Sequence, residues 1–218
     1  MTTSIGRLQD RKYHNLWLYF GSGRYFFKED DKSTARTLIG VKDPCYKGND
    51  DIAAPSGDTC KAAIDFSSGS GFVDQSTIDT TSTIAKGWYI TLDGENDPTA
   101  GYSAERSITD PVAMPNGAVF FTTFKPSVDI CSFGGNSYMW GVKYDTGGVA
   151  PGAALKAKAL VQVSTGSFEE INLSTALTAM EGRKMGSPMV GKPPNDPPPI
   201  VSPAANKPLK RVIHIREK

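Results

Sequence analysis

The chain has 218 residues with 24 Lys+Arg against 23 Asp+Glu, a formal net charge of +1. That near-balance argues against a protein that coats nucleic acid, which shows a clear basic excess. Apolar residues make up 39% and charged residues 22%, which fits a soluble globular chain long enough to bury a core. No apolar run approaches the ~20 residues of a membrane span. The polar residues 1–10 lack the apolar core of an export leader.

Strand signals dominate from the N-terminus onward. Residues 1–14 read as a tail. Residues 16–20 (Leu-Trp-Leu-Tyr-Phe) form an apolar, β-rich run that ends at Gly21-Ser22-Gly23, and residues 37–42 are a second short run. Residues 43–83 are rich in Gly, Ser, Asp and Thr and read as a long loop insertion. Residues 86–92 form the third strand, closed by Asp93-Gly94. Asn116-Gly117 is a tight-turn pair, so residues 112–114 and 118–123 are expected to form a hairpin. A strand over 137–144 stops at Asp145-Thr146-Gly147-Gly148. Residues 153–163 carry the only helix-like pattern, yet their second half, 159–163, alternates well enough to be a strand. That strand would pair with 168–173 across Ser164-Thr165-Gly166-Ser167. Residues 192–208 contain seven prolines and read as a stiff, extended surface loop. A terminal strand is expected over 210–215, within a last segment of 209–218.

The three cysteines are Cys45, Cys60 and Cys131. Cys45 and Cys60 share one polar loop, and a disulfide between them would close about 15 residues, worth perhaps 3 kcal/mol in the chain-entropy model. The alternative is two free thiols in a reduced compartment. The disulfide is favoured because a Gly/Asp loop without apolar content has little else to order it. Cys131 is left without a partner in the chain. Zinc is not expected: there is no CxxC, and His14 and His214 stand at opposite ends.

The informative feature is internal repetition. Ile39-Gly40-Val41-Lys42-Asp43 recurs as Trp140-Gly141-Val142-Lys143-Tyr144-Asp145, with one inserted residue. Leu18-Tyr19-Phe20-Gly21-Ser22 precedes the first copy, and Val119-Phe120-Phe121-Thr122-Thr123 precedes the second. A third unit opens at 185–190, parallel to 108–112. Three elements recurring in one order favour a true repeat over the chance likeness of short β sequences. The unit has the form of a propeller blade, a small antiparallel sheet stacked beside its neighbours.

The same segments carry a family resemblance. Phe20-Gly21-Ser22-Gly23-Arg24-Tyr25-Phe26, Gly40-Val41-Lys42-Asp43-Pro44, Lys86-Gly87-Trp88-Tyr89-Ile90 and Glu105-Arg106-Ser107-Ile108-Thr109-Asp110-Pro111 resemble the C-terminal β-propeller of the type IV pilus PilC/PilY family. So do residues 119–126, 129–135 and 137–140. The resemblance runs over about 16–190 in the expected order. It implies an all-β fold of propeller-type blades, a partial propeller of two to three blades over 15–191 with long loop insertions. It also implies a pilus-tip adhesin and biogenesis factor of the cell surface, periplasm or outer membrane, with roles in adhesion and twitching motility. Its partners would be pilin or minor pilins, a surface receptor, or the remainder of a split propeller chain. The family's calcium loop has no counterpart: in Asp93-Gly94-Glu95-Asn96-Asp97 the glycine falls second rather than sixth, so no cofactor is expected and calcium is a minority reading.

No catalytic constellation is present. Neither GxSxG nor HExxH occurs, and neither Gly21-Ser22-Gly23-Arg24 nor Ser68-Gly69-Ser70-Gly71 is followed by the GK[ST] of a phosphate loop. The expectation is a non-enzymatic binding and scaffolding module. Its best interaction candidate is the 43–83 insertion, with Asp43, Tyr46, Asp50, Asp51, Phe66 and Phe72 as contact residues. Two alternatives stand beside it. One is a pilus or filament subunit that completes its sheets with a partner, since open sheets expose unpaired edges. The other is a fragment of a quinoprotein-type propeller enzyme, although a quinone needs a closed ring. Trp17, Trp88 and Trp140 sit inside apolar strands and are read as core rather than as a sugar-stacking set.

Overall fold

A computed structural model describes residues 3–10, 12–24, 35–46, 64–77, 84–94, 103–129, 131, 134–156, 158–162, 168–177, 182–185, 189–190 and 200–202. Their regular secondary structure is almost all β, arranged as three open sheets with a single helical turn. Sheet I has the order β1 (Gly6–Gln9), β2 (Leu16–Gly21), β3 (Thr37–Lys42), β5 (Gly87–Thr91) and β4 (Phe72–Asp74). Its pairs are antiparallel except β4 with β5, which is parallel. Sheet II centres on the long hairpin of β8 (Ala118–Pro126) and β9 (Gly135–Lys143). The two short strands β6 (Arg106–Ser107) and β7 (Val112–Ala113) share one side of β8, and β12 (Met189–Val190) flanks β9. Sheet III is β11 (Phe168–Asn172), β10 (Lys158–Gln162) and β13 (Ile200–Ser202). Asn172 then caps the single turn α1 (Leu173–Ala176) by accepting from the Ser174 N–H.

Alternation along β8 explains the layering. Val119 and Phe121 point one way, into a core with Trp17, Tyr19, Leu38, Trp88, Ile90, Trp140 and Val142, which joins sheets I and II. Ala118 and Phe120 point the other way, into a second core with Met139, Ala159, Leu173 and Leu177, which joins sheet II to sheet III and α1. A strand buried on both faces has to be apolar at nearly every position, and this accounts for the sequence AVFFTTF.

The repeated segments occupy equivalent positions. Leu18, Tyr19 and Phe20 pair with Val41, Gly40 and Ile39 in sheet I. Val119, Phe120 and Phe121 pair with Val142, Gly141 and Trp140 in sheet II. The face of sheet I that carries Tyr19 packs toward sheet II, and the corresponding face of sheet II, which carries Phe120, packs toward sheet III. The stacking is therefore head-to-tail. On the opposite face of sheet I, Phe20 and Ile39 are also buried.

The predicted strands over 16–20, 37–42, 86–92 and 137–144 appear as β2, β3, β5 and β9. The 112–123 hairpin forms as β7 and β8. Its loop has three residues, Pro115-Asn116-Gly117: Gly117 takes φ +93° and donates its N–H to the Met114 carbonyl at 3.1 Å. The helix-like pattern over 153–163 resolves into a turn followed by β10, which pairs with β11 as the second reading of that segment has it.

Three segments read as loop or tail contain strands. β1 lies within 1–14. Leu8 is its one core-facing apolar residue, packed against the core between sheets I and II, which is too little for a period-two signal. β4 lies within the 43–83 insertion and draws its hydrogen bonds from β5. β13 lies between Pro199 and Pro203, where three residues without proline keep N–H groups able to pair with β10. The expected terminal strand over 210–215 and the 164–167 turn fall outside the described residues.

Candidate interaction surface

One end of sheet I collects the residues of the insertion. β3 runs antiparallel to β5 and β4 runs parallel to it, with Val41 opposite Gly87 and Gly87 opposite Phe72. Asp43, just past the end of β3, and Phe72, at the start of β4, therefore emerge at the same end. Asp43 donates its N–H to the Leu16 carbonyl at 2.8 Å, and its Oδ1 accepts the Cys45 N–H at 2.8 Å. The first turn of the insertion is thus fixed to β2. Tyr46 is half-buried just beyond it.

The segment leading into β4 is shaped by local hydrogen bonds. Asp65 accepts the Ser67 N–H at 2.9 Å and the Ser67 hydroxyl at 2.8 Å. These bonds to the ionised form lower the Asp65 pKa. Gly69 and Gly71 take left-handed φ values of +82° and +92°, and Lys86 donates its N–H to the Gly71 carbonyl at 3.0 Å. The chain then enters β4, whose far end is held by the Gln75 N–H donating to the Tyr89 carbonyl at 2.8 Å.

This arrangement brings three aromatic rings together. Phe66 lies 4.4 Å from Tyr89 between ring centroids, and 5.8 Å from Phe72 in an edge-to-face contact. Gly87 makes room for the Phe72 ring, since a Cβ there would fall 2.6 Å from it. Tyr89 is half-buried and hydrogen-bonds Asp74; burial first, and then the Asp74 carboxylate, raises its pKa. Phe66 stays 38% exposed and Ile64 43% exposed. The product is a small apolar, aromatic patch rimmed by Asp65, Asp74 and Lys86.

Of the residues expected at an interaction loop, Phe66 and Phe72 meet, while Asp43 and Tyr46 lie along the same sheet end. Asp50, Asp51 and Cys60 lie outside the described residues. Tyr89 joins the patch from β5. Its place in an apolar strand hid it, although the alternation Trp88-Tyr89-Ile90 puts it on the face opposite Trp88 and Ile90. The three tryptophans are 3%, 0% and 8% exposed and line the core between sheets I and II, so they form no surface platform.

A second polar feature lies between the sheets and had no sequence signal. Glu105 is fully buried. Its carboxylate accepts from Thr123 Oγ1, from Trp140 Nε1 at 3.2 Å and from Lys184 Nζ at 2.7 Å. The Lys184 ammonium also lies 4.2 Å from the Tyr138 ring centroid and 5.1 Å from that of Trp140. Three residues around this buried ion pair, Thr123, Trp140 and Tyr138, offset its desolvation. Nearby, Tyr19 Oη and Trp88 Nε1 both donate to the Tyr144 carbonyl at 3.1 Å, tying sheet I to the turn after β9.

Among the described residues no group of His, Cys, Asp and Glu is placed to hold a metal ion, and no helix is long and apolar enough to cross a membrane. Asp93, at the head of the acidic Asp93-Gly94-Glu95-Asn96-Asp97 stretch, pairs with Lys125. Cys131 is a free, exposed thiol.

No family model matches the chain, and no solved structure matches it. Among curated proteins it is 32% identical over 149 residues to a type IV pilus biogenesis factor PilY1 homolog of Xylella fastidiosa (strain Temecula1 / ATCC 700964). The match takes in 62% of this chain and 9% of that protein. The chain thus spans a small part of the length of this relative, and the similarity supports a PilY1-like relationship over that part.

Proposed function

We propose that this chain is a binding and scaffolding module in type IV pilus biogenesis, acting without catalysis at the cell surface or in the periplasm. The observation that carries the reading is the PilY1-like stretch, which takes in 62% of the chain. The repeat supports it: two sheets with matching registers, stacked head-to-tail, suit blades of a partial propeller whose loops present contacts. In this reading the Phe66, Phe72 and Tyr89 patch, together with Asp43 and Tyr46, meets pilin or minor pilins or a surface receptor. Cys45 and Cys60 form a disulfide that closes the base of the insertion. The free, exposed thiol of Cys131 supports this pairing.

The test is direct binding of the purified chain to sheared type IV pili and to purified minor pilins, paired with deletion of its gene in the native host. The reading expects saturable binding, and a loss of surface pili or twitching on deletion. Normal piliation and motility with no binding would overturn it.

The open sheets favour a second reading, in which the chain completes its sheets with a partner. Among the described strands sheet I ends at β1 and β4, and sheet III at β11 and β13. A strand added at such an edge by a pilus subunit or by the rest of a longer propeller would extend the sheet. Light scattering separates the cases: a stable monomer overturns this second reading, and a stoichiometric complex supports it.

A further inference from the structure

Residues 182–185 are gripped by three parts of the molecule at once. Their backbone rides on β9: Gly141 donates its N–H to the Arg183 carbonyl at 2.7 Å, and Met185 donates to the Met139 carbonyl at 2.9 Å. Lys184 reaches Glu105 in the seam between sheets I and II. Arg183 donates through its guanidinium to the Gln75 carbonyl at the end of β4. Gln75, Glu105, Arg183 and Lys184 are all buried.

β4 needs this support. It has three residues, pairs with one neighbour among the described strands, and pairs in parallel, the weaker mode. Its C-terminal anchor is Gln75, whose N–H goes to Tyr89 and whose carbonyl takes the Arg183 guanidinium. Losing Arg183 would leave a buried carbonyl without its charged donor. Consecutive Cα atoms are about 3.8 Å apart, so a segment that unseats Lys184 carries Arg183 with it.

We propose that residues 182–185 act as a clasp: with Lys184 seated on Glu105, Arg183 holds β4 in place, and the patch of Phe66, Phe72 and Tyr89 keeps its shape. The proposal builds on the reading of that patch as the interaction surface, but its test needs no partner. Amide hydrogen exchange is measured on the full chain as wild type, Lys184→Met and Lys184→Arg. Lys184→Met is expected to speed exchange by about tenfold at the Gln75 amide, across β4 and at Gly141, whose N–H bonds the Arg183 carbonyl, with the amides that pair β8 to β9 unchanged. Lys184→Arg, which keeps a cation for Glu105, is expected to restore protection.

Wild-type exchange at β4 in Lys184→Met overturns the clasp. So does equal acceleration in all three sheets, which would mean the ion pair serves only overall stability. If Lys184→Met does not fold, Glu105→Gln takes its place under the same criteria, because the amide oxygen still accepts from Trp140 and Thr123. If β4 responds as expected while the chain fails to bind pili, the clasp stands and the pilus reading falls.

Discussion

Gly40 and Gly141 hold the same place in two different sheets: Gly40 lies opposite Tyr19, and Gly141 opposite Phe120. Each admits a large side chain over its backbone. A Cβ at Gly40 would overlap the Trp88 indole, and one at Gly141 would fall 2.5 Å from Leu177 Cδ1. Gly40→Ala is therefore expected to destabilise by about 2–3 kcal/mol, as overpacked cores do. Gly141→Ala should cost less, because the end of a leucine can rotate away and a buried indole cannot. Urea unfolding of both variants checks the order, and a neutral Gly40→Ala would contradict the packing described.

Thiol counting tests the loop at the base of the insertion. On the native chain one thiol, that of exposed Cys131, is expected to react with maleimide, and all three cysteines after reduction in denaturant. Replacing both Cys45 and Cys60 by Ser should cost about 3 kcal/mol in the chain-entropy account. Three reactive thiols without reduction would rule the disulfide out.

Alkaline pH should expose the tyrosines that bridge the sheets. Burial, the largest cause, raises the pKa of both Tyr19 and Tyr144 above the ordinary value of about 10; Tyr144 acts next on Tyr19, and Asp145 next on Tyr144. In the unfolded chain both would lose their protons near that ordinary value. Their contribution is thus complete below about pH 10 and is lost as pH rises above it toward the folded-state values. Tyrosinate absorbance is expected to show these two phenols ionising together with unfolding. Smooth ionisation in the folded chain would contradict the burial.

Phe66 separates binding from folding. With 38% of its surface exposed, Phe66→Ala should unfold within about 1 kcal/mol of wild type. If the patch meets a pilus component, the same change should weaken that binding by about tenfold or more. Equal affinity for the two proteins would place the contact elsewhere.

Much of the fold was legible because its signals are local. The apolar runs at 16–20 and 118–124, the Asn116-Gly117 turn and the doubled Gly-Val-Lys segment each follow from period-two patterning or turn chemistry. What escaped depends on neighbours. Gly6-Arg7-Leu8-Gln9 and Phe72-Val73-Asp74 become strands only because β2 and β5 offer them hydrogen bonds. Glu105 stands in a polar stretch that looks solvated, and only the fold brings Thr123, Trp140 and Lys184 around it. The proposed interaction surface was half visible: Phe66 and Phe72 stood out in a polar loop, whereas Tyr89 passed for core.

The order of strands in sheet I constrains assembly in time. β4 is synthesised before β5, yet β5 lies between it and β3. The strands β1, β2 and β3 can pair in the order in which they appear, but β4 has no edge to join until residues 87–91 have docked. Pulse-labelled exchange during refolding should therefore find Gln75 protected no earlier than Ile90; earlier protection would contradict this order. A nascent chain must carry the aromatic insertion unpaired for some length of synthesis, so the surface read here as a contact site is the last part of its own sheet to settle.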